Sequence, residues 1–168
     1  MRLGARLRSA PEPEIRTMEH VCQCPCGSNQ FKVHGEPMLR FYCHCTICQQ
    51  KYKAPFADVA LFKLSDVDLP QQAITYGKYK KVAAIDRGLC DHCHQPVMAK
   101  MGKGDKGFAF VAAQNFAEPE ALPPPTLHVF YGTRVKDADD DLPKYKNWLS
   151  SQWAILRLLK RSAKSPIG

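Results

Sequence analysis

All eight cysteines of this chain fall in three tight clusters, Cys22/Cys24/Cys26, Cys43/Cys45/Cys48 and Cys90/Cys93. That clustering constrains the fold more than any other feature. A disulfide framework spreads cysteines so that they staple distant loops. CxC and CxxC steps instead let two thiolates converge on one metal ion across a tight turn. The spacing therefore predicts metal binding in a reducing, cytoplasmic setting, and argues against disulfides in a secreted domain. An ion shared between clusters would tie together segments far apart in sequence.

The central cluster reads FYCHCTIC, from Phe41 to Cys48. Cys43, Cys45 and Cys48 supply three ligands, one fewer than a closed tetrahedral zinc site takes. The fourth position belongs either to another part of the chain or to water or substrate. His44 lies between the first two cysteines, and successive residues of an extended strand point in opposite directions. Cys43 and Cys45 share a side only if His44 faces away, so His44 is expected at the surface or behind the ligands. In the first cluster, Cys24 and Cys26 form a CxCG unit with Gly27, whose free φ helps the backbone fold around an ion. Cys22 is left over as a free thiol nearby. Spacing alone leaves open which clusters pair, including two CxxC units making one zinc-ribbon-like site.

The segments between the clusters predict a mainly β architecture. Phe31 and Val33 alternate with polar neighbours, as a half-buried strand does, and a Gly35–Glu36–Pro37 turn leads to a returning strand over Met38–Tyr42. Gln49–Pro55 reads as short helix or turn. Ala57–Leu64, Ala73–Tyr79 and Lys80–Leu89 read as strands, with the Ser65–Gln72 loop after the first. Val97–Met101 and Phe108–Ala113 form a hairpin closed by the Gly102–Gly107 loop. That loop lacks the GxxxxGK[ST] order of a phosphate cradle. Residues 116–125 are proline-rich and irregular, Leu127–Gly132 is a last strand, and Asp137–Asp141 is an acidic, solvated loop. Asn147 is placed to cap a helix over Trp148–Ala163. Leu149, Trp153 and Leu156 share one side of it, and Arg157, Lys160, Arg161 and Lys164 gather toward its C-terminus, as the dipole favours. Core packing and a homodimer contact are both open for that helix.

At 168 residues the chain suits one domain, divided as an extension over residues 1–20, a metal-binding domain over 21–146, and a helix and tail over 147–168. The N-terminal segment carries arginines but no apolar core of a secretory signal, and reads as disordered; patterned sequence begins just after Met18, a candidate start. No apolar run is long enough to span a bilayer. The formal charge is +8, but seven thiolates holding two zinc ions would bring it to about +5. The basic residues are also dispersed, which argues against a nucleic-acid face.

The ordered set of CxCG, CHCxxC and CxxC resembles the family of glutathione-dependent formaldehyde-activating enzymes, which includes centromere protein V. The resemblance runs from Cys24 to Pro143, including the Asp140-Asp-Leu-Pro143 tail. It implies a β-rich, zinc-bound, tent-like single domain, followed in this chain by a C-terminal helix. It implies a structural zinc on Cys24, Cys26, Cys90 and Cys93, and a second zinc with an exchangeable position on Cys43, Cys45 and Cys48. It also implies a carbon–sulfur lyase activity that condenses formaldehyde with glutathione to S-hydroxymethylglutathione. The chain departs from the pattern at His94, where the family has glycine, and at Gln49-Gln50, where Arg or Ser is common. Its C-terminal helix lies beyond the resemblance.

Three anionic sulfurs make a zinc ion a weak Lewis acid, poorly suited to ionising water and well suited to taking an incoming thiol. The expected function is thus activation of glutathione or a similar small thiol, or of its aldehyde adduct, at a three-cysteine zinc site. A non-catalytic zinc module that binds a protein or nucleic-acid partner is the alternative. A redox or metal-handling role stands third. Tyr42, Tyr52 and Phe56 flank the triad and are candidates to line a pocket or to pack in the core.

Overall fold

The strand β4 (Ala57–Lys63) is apolar almost throughout because it is buried on both faces. Ala60 and Phe62 point to one core, and Ala57, Val59 and Leu61 to the other. The computed structural model describes residues 18–70, 74–79 and 84–162. It places β4 inside a seven-stranded sheet. The other strands are β3 (Leu39–Cys43), β5 (Ile74–Gly77), β6 (Ile85–Cys90), β7 (Pro96–Met101), β8 (Phe108–Ala112) and β9 (His128–Val129). Their order is β5-β6-β7-β8-β4-β3-β9, antiparallel except for the parallel β3–β9 pair.

A two-stranded hairpin, β1 (Glu19–Gln23) and β2 (Gln30–His34), covers one face of this sheet. Its Cys22, Cys24, Phe31 and Val33 pack with Ala60, Phe62, Met98, Ala109, Val111 and Cys90. The other face carries Leu39, Phe41, Cys43, Val59 and Leu61 and is covered by two helices, α1 (Thr46–Tyr52) and α2 (Trp148–Ser162). The result is a mainly β single domain with a C-terminal helix, as the sequence predicts.

Several expectations change in detail. Glu19 and His20 belong to β1, so the extension expected over residues 1–20 is structured at its end; residues 1–17 lie outside the described residues, as do Ala73, residues 80–83, Ala163 and Lys164. The strand expected over Leu127–Gly132 holds only two residues, because Phe130 turns into the left-handed region (φ 53°) and Tyr131–Thr133 closes a 3₁₀ turn. The register between β6 and β7 shifts at Gly88/Leu89, so that Val97 and Met98, though adjacent, are both buried in the same core. The carbonyls of Pro96 and Val97 at this bulge each accept from the buried Asn115 Nδ2 at 2.9 Å.

Asn147 caps α2 as expected, its Oδ1 accepting from the Ser150 N–H at 2.9 Å. Ser151, Ala154, Ile155 and Leu158 face the sheet, while Trp148, Leu149, Trp153 and Leu156 are exposed. No described helix is long and apolar enough to cross a membrane.

Candidate metal centres

The first centre joins two tight turns. After β1, Gly27 takes φ +75° and its N–H returns to the Cys24 carbonyl at 2.8 Å. After β6, the His94 N–H bonds the Cys90 carbonyl at 2.9 Å, with His94 at φ 56°. Histidine thus takes the left-handed conformation that glycine would adopt more easily. The two turns bring the sulfurs of Cys24, Cys26, Cys90 and Cys93 within 4.8 Å of one another. Cys24 lies 3.2 Å from Cys26 and 3.7 Å from Cys90, and Cys26 lies 3.6 Å from Cys90. Zinc–sulfur bonds of about 2.3 Å set tetrahedral sulfurs about 3.8 Å apart, so the donor set fits a zinc-sized ion.

Polar groups around these sulfurs favour thiolates. Ser28 Oγ lies 3.1 Å from both Cys26 and Cys90, and Asn29 Nδ2 donates to Cys90 Sγ at 3.3 Å. Burial opposes ionisation of Cys24, but hydrogen bonds from Ser28, Cys26, Asn29 and Cys90 bring its pKa down to about 5. Cys22, one strand position away from this loop, is fully buried in the core and burial pushes its thiol up to about 12. It is a free thiol beside the centre and is not one of the four converging sulfurs.

The second centre forms where β3 passes into α1. Cys43 is the last residue of β3, and Cys45 is the N-cap of α1, its Sγ accepting from the Cys48 N–H at 3.4 Å. The three sulfurs lie within 4.8 Å of one another on the sheet face opposite the first centre. Hydrogen bonds with Cys43 and Cys48 hold Cys45 far below an ordinary thiol, while hydrogen bonds with Cys45 and Cys48, together with burial, hold Cys43 well above one. The cluster offers three convergent sulfurs to a cation. Tyr52 packs beside it; burial raises its phenol, as do Cys48 and Cys43.

His44 does face away from the sulfurs, and it is buried, with 1% of its surface exposed. Its Nε2 lies 2.8 Å from His128 Nδ1, and His128 Nε2 lies 2.9 Å from the Asp140 carboxylate. With Asp140 accepting, His128 carries its proton on Nε2 and offers Nδ1 as an acceptor to the His44 N–H. Burial lowers the His44 pKa to about 4, which keeps the ring neutral. The backbone is fixed too: the His44 carbonyl accepts from Gln49 Nε2 and Thr133 Oγ1, both at 2.8 Å.

Tyr42 and Phe56 pack with tilted rings against each other and against His128 and His44 respectively, on the side away from the sulfurs, so of the three aromatics expected near the triad only Tyr52 packs with it. The acidic run is more than a solvated loop: Asp140 holds the buried His128, and Asp137 pairs with Arg134 and Tyr131. Sequence reading passed over His128 and Arg87, and took Asp140 only as part of the acidic run and the family's tail. A lone histidine inside the apolar Leu127–Val129 run, and an arginine inside the short β6, were the available signals, since buried polar side chains require partners.

The sequence matches the family model described as glutathione-dependent formaldehyde-activating enzyme over residues 19–133. Among curated proteins none matches the chain. Among solved structures, the crystal structure of a Rhodobacter sphaeroides protein is similar at 18% sequence identity, covering 64% of this chain and 92% of that one, with a TM-score of 0.46. The family match spans β1 through the turn after β9, more than half of the chain, and this protein therefore belongs to the glutathione-dependent formaldehyde-activating enzyme family.

Proposed function

We propose that this protein is a zinc-dependent enzyme of carbon–sulfur lyase type that activates a small thiol. In this reading Cys43, Cys45 and Cys48 hold an ion with a fourth position for glutathione, a similar thiol, or its adduct with a small aldehyde such as formaldehyde. Cys24, Cys26, Cys90 and Cys93 hold a second, structural zinc. The carrying observation is that three sulfurs converge at the β3–α1 junction while the adjacent histidine is committed elsewhere, to His128. Eight free thiols suit a reducing, cytoplasmic setting.

A zinc ion so held would supply the charge that lets an incoming thiol lose its proton near neutral pH. The chain's own residues do the rest. Gln49 and Thr133 lock the His44 carbonyl and so fix the direction of Cys43 and Cys45. Tyr52, Leu39, Phe41 and Val59 share one apolar cluster with the three cysteines and back the site on its core side. In the addition, the thiol sulfur bonds the aldehyde carbon, the carbonyl π bond opens, and the thiol proton ends on the resulting hydroxyl.

The test is a calorimetric titration of glutathione into the zinc-loaded protein in two buffers of different ionisation enthalpy. Saturable binding with release of about one proton is expected. Absence of binding at millimolar glutathione would overturn the thiol reading. It would favour the second reading, a zinc-stabilised binding module, which the exposed Trp148, Leu149, Trp153 and Leu156 beside Arg157, Lys160 and Arg161 on α2 support.

A further inference from the structure

Arg87 stands on β6 opposite Gly77 of β5 and Ala99 of β7. Directly opposed residues of an antiparallel pair share a face. Following the register from Ala99 to Phe110, Leu61 and Leu39 puts Arg87 on the face that carries Phe41 and Cys43. The short helix α1 crosses this face toward the same edge: Lys51 Nζ sits 4.1 Å from the centre of the Tyr79 ring, just past β5. The helix that presents Cys45 and Cys48 therefore reaches over the strands where Arg87 stands.

The guanidinium is under-used. Its Nη1 is buried with no hydrogen-bond partner. Among the described residues no carboxylate forms an ion pair with it. Its cross-strand neighbours, Gly77 and Ala99, have no side-chain acceptor, and the Tyr79 side chain that Lys51 of α1 contacts lies over Gly77. A buried donor left unpaired costs free energy, which a ligand bringing an acceptor would recover. None of the described hydrogen bonds joins the guanidinium to a sulfur, so its planar fork of donors remains for something else. A carboxylate matches that fork in shape and charge.

We propose that Arg87 is the docking point for a carboxylate of the thiol that enters at Cys43, Cys45 and Cys48, which makes the site selective for carboxylate-bearing thiols. This inference rests on the thiol reading above. A peptide thiol such as glutathione carries its sulfur and its carboxylates a few bonds apart, as two neighbouring anchors require.

The experiment compares two thiols by calorimetry on the zinc-loaded, full-length protein: 3-mercaptopropionate, which has a carboxylate, and 2-mercaptoethanol, which does not. Wild-type protein is expected to prefer 3-mercaptopropionate about tenfold or more, the scale of one charge-assisted pair. Arg87→Gln should erase that preference while keeping both zinc ions and its affinity for 2-mercaptoethanol. Should Arg87→Gln fail to fold, Arg87→Lys carries the test, with a several-fold smaller preference because lysine lacks the fork; an undiminished preference overturns the proposal. Equal binding of both thiols by wild type overturns it and leaves the thiol reading standing. Equal weakening of both thiols in Arg87→Gln also overturns it, by assigning the charge to the sulfurs. Binding of neither thiol by wild type removes the thiol reading and this inference with it.

Discussion

Asp140, His128 and His44 show how one exposed side chain can order a buried one two steps away. Asp140 resists protonation: burial pushes its pKa up, but Lys144, His128 and the Leu142 N–H together bring it down to about 2. Its charge selects the tautomer of His128, which in turn receives the His44 N–H. Asp140→Asn keeps the shape and removes the charge, and is expected to lower stability by about 1 kcal/mol, the net scale of a hydrogen bond. A denaturant midpoint that does not move would show that the pair contributes nothing. The cysteines of both centres were legible in the sequence because CxC and CxxC steps announce themselves. The direction of His44 was legible because a strand alternates. His128, Asp140 and Arg87 were not, since each takes its role from a residue brought near only by the fold; Asp140 reads in sequence as one of a run of surface acids.

At the scale of elements, alternation and turn residues located most strands, and what escaped was what tertiary contact decides. The hairpin strand β1 carries Cys22 and runs into the turn of Cys24, a stretch whose cysteines mask its period, while its buried positions show only against the sheet. The bulge in β7 leaves no mark in the sequence either, and it depends on the buried Asn115 for two carbonyl partners. Asn115→Ala strands both, and is expected to cost about 3 kcal/mol, from about 1–3 kcal/mol for each buried group left unpaired. Thermal or chemical denaturation reads this directly, and a loss below about 0.5 kcal/mol would mean that water replaces the side chain. In α2, a second stripe decides the packing. Ser151 binds the Phe130 N–H at 2.9 Å and Ala154 allows close approach, so the stripe through Ile155 and Leu158 docks and the bulkier Trp153–Leu156 stripe stays outside.

Across the whole molecule, the sheet separates two centres of different character. The four-sulfur centre brings the turn of the β1–β2 hairpin against the β6–β7 turn, so that an ion held there would join segments that no strand pairing links directly. A site of that kind contributes its binding free energy to folding. The three-sulfur centre lies on the opposite face, at a strand-to-helix junction that backbone and side-chain hydrogen bonds already hold. Loss of an ion should therefore be tolerated at the second centre and not at the first. Native mass spectrometry of wild type and Cys48→Ser, each with and without glutathione, tests this division and the function drawn from it together. The account predicts two zinc ions and one bound thiol for wild type, and one zinc ion, no thiol and an intact fold for Cys48→Ser. A Cys48→Ser protein that keeps two zinc ions, binds the thiol as before or unfolds would contradict it.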